Sequence, residues 1–364
     1  MEFLNDPAVR LLADLVSVPG PSGRESAAAE LLASRLPSLG WESVEIDAIG
    51  NVVATRGSGK EEFVLLGHID TFPGGPPVRI EGNTLWGRGS VDARGPLCAF
   101  SAAGGKTPVP DGMRLTLVAA VSEETDSAGI RHRLPLHRPA ACLVGEPSGT
   151  DGITLAYRGF LQVRLACEDT GSHRSSGTSP LTSCLQAAAD ILDEIQRADD
   201  TKKPVIERTT ANVLSMGGTE EDGRRACIDL DIRLPLKTQP GEIFRFCAEK
   251  AASRGSRASL VSAVCAHAED RTNPLVRALR VAIREAGGTP RLLAKGGTAD
   301  FNYAAAWNCP LAAWGPGDSR LDHTNEERLD LDEYLRSIRI LTRLLSTWGQ
   351  TLNLTRWMQA DREC

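Results

Sequence analysis

His68 and Asp70 close the apolar run Phe63-Val64-Leu65-Leu66 in the stretch GHIDTFPG. Asp92 lies in GRGSVDARG, Glu123 and Glu124 adjoin in SEET, Glu146 stands in GEPSG, and His323 lies in LDHTNEE. Singly, each has an ordinary meaning. His68 reads as a hydrogen-bonded strand end, Asp70 as a turn former before Pro73-Gly74, and Asp92 as the cap of a following helix. The Glu pair and Glu146 read as solvated charge, His323 as a loop histidine. Together they are the imidazoles and hard carboxylates that a divalent metal requires, each at a strand end or in a glycine-rich turn. Several carboxylates buried at one sheet edge without a cation would oppose folding; a metal resolves that conflict, and the surplus of carboxylates points to two ions. Asp70 would then accept the other N–H of His68 and fix its tautomer. Of the adjacent glutamates, one binds metal while its neighbour takes a proton from the attacking water, so the expected chemistry is metal-assisted hydrolysis.

The elements that must position these groups follow from the pattern. EFVLLGHID, RLTLVAAVSEE and AACLVGEPSG read as strands and CAFSAAGG as helix-like, an alternation that predicts an α/β sheet with helices on both faces and function where strands end. After about residue 155 the order becomes β-α-β-β-α-β: LQVRLACED, the helix PLTSCLQAAADILDEIQRA, TTANVLSMGG, RRACIDLDIRLP, the helix GEIFRFCAEKAAS, and RASLVSAVCA. That is the arrangement of a ferredoxin-like module. The expected architecture is an α/β domain over 1–154 and 268–364, with an α+β module inserted at 155–267.

Composition excludes some classes. The chain has 364 residues, a formal charge of -6 and no apolar run of membrane-spanning length, so neither nucleic acid nor a membrane is an expected partner. Its first twenty residues lack the form of a signal peptide, and a cytoplasmic location is expected. Nine scattered cysteines read as small core residues, except terminal Cys364.

The motifs GHIDTFPG, GRGSVDARGPL, SEET, GEPSG, GSHRSSGTSP, the DIR of LDIRLP, GGTAD and LDHTNE resemble, in order and spacing, the M20 family of dinuclear zinc aminoacylases and carboxypeptidases. VDARGPLCAF, YRGFLQV, KGGTADFN and GPGDSRLDHTNEERLDLDEYLRSIRIL are similar to its branch of LysW-type carrier-protein hydrolases, which free lysine or ornithine from the terminal γ-glutamyl group of a small acidic amino-group carrier. The resemblance implies a zinc-peptidase-like catalytic domain and two zinc ions, with cobalt as a substitute. Asp92 would bridge them, His68 and Glu146 on one and Glu124 and His323 on the other. It implies Glu123 as general base, a lid and dimerisation role for the inserted module in a homodimer, and His173 as an oxyanion donor reaching the partner's site. Arg233, Asn212 and the turn Gly296-Gly297-Thr298 would hold the substrate's α-carboxylate.

Arg94, Gly296-Gly297 and the segment TDSAGIRHRL depart from that branch and leave the released amino acid open. A deacylase of free N-acetyl diamino acids is the alternative within the same chemistry. A catalytically dead binding relative would have lost ligands, and all are present. Arg131, His132, Arg133, His137 and Arg138 offer a basic run for an acidic carrier or, more simply, a solvated face.

Overall fold

The computed structural model describes residues 5–169, 179–219 and 224–360, the side chains of 350–360 excepted. His173 and Cys364 lie outside the described residues. The chain divides into two compact units, one of Met1–Leu155, Glu269–Leu293 and Tyr303–Cys364, the other of Ala156–Ala268 and Ala294–Asn302.

The first unit is built on a large mixed sheet. Its path runs Ser43–Ile46, Val52–Arg56, Met113–Ala120, Glu61–His68, Ala141–Val144, Leu311–Ala313, Gly152–Tyr157. Glu61–His68 is parallel to both Met113–Ala120 and Ala141–Val144, and Leu311–Ala313 is parallel to Ala141–Val144. Parallel strands buried on both faces read as continuous apolar runs, and Phe63, Val64, Leu65 and Leu66 are all fully buried. Helices cover the sheet: Arg94–Lys106, whose small residues pass wholly through the interior, and Leu331–Ala360, whose Trp348 meets Phe63 edge to face at 5.2 Å. Pro7–Ser17 begins with Pro7 after an Asp6 cap that accepts from the Ala8 N–H at 2.8 Å.

The basic run does not form one face. Arg131 and Arg138 are exposed, but Arg133 and His137 are buried. Arg133 donates to His137 Nε2 at 3.0 Å, which leaves His137 Nδ1 to donate to Glu62 Oε1 at 3.0 Å. Thr116 adds a second donor to Glu62 at 2.6 Å. Burial pushes the Glu62 carboxyl up, but the hydrogen bonds from His137 and Thr116, with the charge of Arg114, win and bring it down to about 2. Such a depressed carboxyl contributes stability that is present above its unfolded value and lost as pH falls toward about 2. Glu62→Gln is therefore expected to lose about 3 kcal/mol of unfolding free energy at neutral pH in urea titration, and less in acid.

The second unit has a four-stranded antiparallel sheet in the order Thr210–Thr219, Arg224–Leu234, Gly159–Asp169, Arg257–Val264. Alternation along the two central strands sends Leu161, Val163, Leu165, Ile228, Leu230 and Ile232 to one face. There they pack on the helices Pro180–Ala198 and Pro240–Ser253. The edge strand Thr210–Thr219 is exposed along most of its length, Leu214 and Met216 included. The cysteines are less uniform than expected: Cys98, Cys142, Cys184 and Cys247 are core residues, Cys167, Cys227 and Cys309 are half-buried, and Cys265 is exposed.

Candidate metal centre

The parallel register explains why the donors converge. Leu66 pairs with Val144 and His68 with Ala120, so His68, Glu146 and the Glu123-Glu124 pair leave three neighbouring strands at the same sheet edge. Glu146 is buried there. Asp92 precedes the helix Arg94–Lys106 without capping it; the cap position is Ala93, which makes no side-chain bond. The two carboxylate oxygens of Asp92 point to different histidines instead. His68 Nε2 lies 3.2 Å from Oδ1, and His323 Nε2 lies 3.1 Å from Oδ2. Glu124 Oε2 is 3.0 Å from the same His323 nitrogen. One ligand atom from each of Asp92, Glu124 and His323 lies within 4.8 Å of the others. Glu123 Oε2 is 4.0 Å from His68 Nε2.

Asp70 has a broader task than orienting one ring. His68 Nδ1 lies 3.1 Å from the Asp70 carbonyl and 3.5 Å from its carboxylate. The carboxylate accepts the backbone N–H groups of Glu123 and Glu124, both at 3.1 Å, and the Ser22 hydroxyl at 2.7 Å. It thus fixes the turn that carries the glutamate pair, where Ser122 adopts a φ of 60° that non-glycine residues rarely take.

Without a cation, protons on the two histidines offset part of the carboxylate charge. Burial disfavours charge on His68, but the charge of Glu123 and the hydrogen bonds to Asp70 and Asp92 overcome it and raise its pKa well above the ordinary value. Hydrogen bonds to Asp92 and Glu124 raise His323 to about 10. Burial pushes Asp92 up, and the hydrogen bonds from His323 and His68 hold it below the usual carboxylate range. Two imidazolium protons thus stand where cations would. Two imidazoles on opposite oxygens of one half-buried carboxylate, with Glu124 beside one of them, form a donor set whose chemistry suits divalent metal.

Several supporting residues had no sequence signal for the part they play in the structure. Arg94 is a buried cation that donates to the carbonyls of Ile69 (2.9 Å), Leu15 (2.5 Å) and Val18 (2.6 Å), tying down the residue between His68 and Asp70. Glu25 Oε1 accepts from the Ser122 N–H at 3.2 Å. Glu327 Oε1 accepts from the N–H groups of Gly89, Val91 and Asp92 at 2.9, 3.0 and 3.1 Å, holding the loop that delivers Asp92.

In the second unit, Arg233 donates to Asp231 Oδ2 at 2.8 Å and to Thr298 Oγ1 at 3.1 Å. Asn212 pairs with Asp231 on the exposed edge strand. Among the described residues nothing stands within 4 Å of a Cβ at Gly297, so none of them requires glycine there.

Known proteins place the chain. A LysW-lysine hydrolase of Deinococcus radiodurans is 39% identical over 351 residues, spanning 93% of this chain and 96% of that protein. A protein of Pyrococcus abyssi named as a putative LysW-lysine/LysW-ornithine hydrolase is 36% identical over 95% of each chain. An M20 family metallo-carboxypeptidase from Sulfolobus solfataricus shares the fold, with a TM-score of 0.74 at 16% identity over 94% of this chain and 99% of its own. Residues 64–347, which include His68, Asp92, Glu124, Glu146 and His323, match the model of peptidase family M20/M25/M40, and the chain belongs to that family.

Proposed function

We propose that the protein is a dinuclear zinc amidohydrolase that cleaves the amide between a small basic amino acid and the C-terminal γ-glutamyl group of a LysW-type carrier protein, releasing lysine, ornithine or a related diamino acid. The observation that carries the chemistry is Asp92, with one histidine on each carboxylate oxygen. The names of the relatives, similar over nearly the whole length, support the substrate class.

His68, Asp92 and Glu146 would hold one ion and Asp92, Glu124 and His323 the other, zinc suiting the imidazole and carboxylate donors and cobalt replacing it. When bound, the ions supply Lewis acidity that polarises the scissile carbonyl and lowers the pKa of the attacking water. Glu123, beside this cluster, takes the water's proton and returns it to the departing amine. Asp70 holds His68 and the glutamate turn in place. His173, outside the described residues, would donate to the oxyanion in the partner subunit's site. Arg233 offers a forked donor for the substrate's α-carboxylate, with Thr298 and Asn212 beside it on the second unit and Gly297 in the turn that carries Thr298.

The β-α-β-β-α-β order and four-stranded sheet support reading the second unit as a ferredoxin-like lid and dimerisation module, and its exposed edge strand supports a homodimer. No helix among the described residues is long and apolar enough to cross a membrane, which accords with a cytoplasmic enzyme. The test is mass-spectrometric detection of free amino acid, using zinc-loaded protein with carriers bearing lysine or ornithine and with the matching N-acetyl compounds. Turnover of the carrier conjugates is expected; turnover of the acetyl compounds alone would overturn the carrier assignment.

A further inference from the structure

We propose that Phe72 and Arg88 form a brace that sets the plane of the His323 imidazole, which makes both positioning residues for the ion that His323 would bind. The inference deepens the dinuclear reading and rests on it. His323 is the least enclosed donor of the centre: its side chain is 41% exposed, against 2% for His68, 14% for Asp92 and 8% for Glu124. It also sits in a loop at φ 59°, a conformation that side chains with a Cβ rarely adopt.

Its Nε2 faces Asp92 and Glu124. A bound metal would occupy that nitrogen, so the carboxylates could no longer orient the ring through hydrogen bonds. The packing on its face would remain. Phe72 stacks on that face, ring centroids 4.4 Å apart and planes 12° from parallel. Phe72 belongs to no core cluster and is 43% exposed. An aromatic ring left at the surface against a single imidazole is not explained by burial.

Arg88 holds Phe72 in turn. Its guanidinium lies 5.8 Å from the Phe72 ring centroid, a cation–π distance. It donates to the Gly74 carbonyl at 3.3 Å and to Glu327 Oε2 at 2.5 Å. The other oxygen of Glu327 is the one that gathers the N–H groups of Gly89, Val91 and Asp92. The brace therefore links the loop carrying Asp92 to the ring of His323 through one fully buried carboxylate. The turn after Phe72 is shaped for it: Gly75 has φ 114°, and a Cβ there would stand 2.7 Å from that of Arg88.

The test is zinc titration into metal-free protein, by calorimetry and by competition with a chromophoric chelator, for wild type, Phe72→Val and Phe72→Tyr. In Phe72→Val one of the two zinc equivalents is expected to bind about 10- to 100-fold more weakly, the usual cost of losing a group that orients a ligand, while the other is unchanged and Phe72→Tyr binds like wild type. The visible spectrum of cobalt-loaded Phe72→Val should change in the same one-site manner. Wild-type affinity for both equivalents in a folded Phe72→Val protein would overturn the brace and leave the dinuclear centre standing. A wild type that takes up no zinc would overturn both.

Discussion

Glu123→Gln is expected to lower kcat by about 10²- to 10⁴-fold with wild-type metal content, because the amide keeps the shape of the side chain and loses only its ability to take a proton. The geometry separates this residue from its neighbour. Glu124 meets His323 and joins the group whose ligand atoms lie within 4.8 Å of one another, whereas Glu123 approaches the centre at His68 Nε2 from 4.0 Å. Both backbone N–H groups are anchored on Asp70, so the turn does not depend on the Glu123 carboxylate. Steady-state kinetics on a loaded carrier should show kcat falling with KM nearly constant, the sign of a group acting in the transition state. Metal analysis of the same preparation supplies the control. The companion Glu124→Gln should instead lose metal. A Glu123→Gln enzyme within about tenfold of wild type would assign the proton to another group.

The division between Glu123 and Glu124 also shows what the sequence could and could not reveal. The candidate donors stood out because their chemical type clashes with their position: a histidine ending the apolar strand Glu61–His68 has few structural reasons to be there. Parallel pairing then brings such strand ends together, so alternating strands and helices predict a common edge. The shared role of Asp92 was not legible from its local pattern, which suits a helix cap equally well; the structure gives both of its oxygens to histidines. Ser22, Glu25 and Glu327 left no trace in sequence, and Arg94 stood out only as a departure bearing on the substrate, because the groups they hold lie far away in the chain. Ser22 meets a residue 48 positions on, and Glu327 holds Gly89 across 238. Arg133 and His137 misled in the opposite direction. Their charge suggested a surface, yet mutual hydrogen bonding and Glu62 make them tolerable inside.

The protons on His68 and His323 make metal uptake pH-dependent in a predictable sense. Without a cation His323 titrates at about 10, and His68 well above the ordinary histidine value, so both are protonated at neutral pH. A metal can use these nitrogens only by displacing their protons. The apparent Kd should therefore weaken by about tenfold per pH unit for each proton displaced as pH falls from about 8 to about 6, and zinc binding in weak buffer should acidify the solution. Stability follows the same logic with its own sign. A histidine whose folded pKa lies above its unfolded value contributes stability that is complete below about 6.5 and lost as pH rises through about 10. Metal-free protein should accordingly lose stability in this upper range, while zinc-loaded protein, its imidazoles already deprotonated, should not lose this contribution there. Removal of metal with a chelator should abolish turnover, and re-addition of zinc or cobalt should restore it. Isothermal titration in buffers of different ionisation enthalpy counts the released protons directly. Uptake that releases none, with a Kd constant between about pH 6 and about pH 8, would mean that no imidazolium proton stands at the site before the metal arrives.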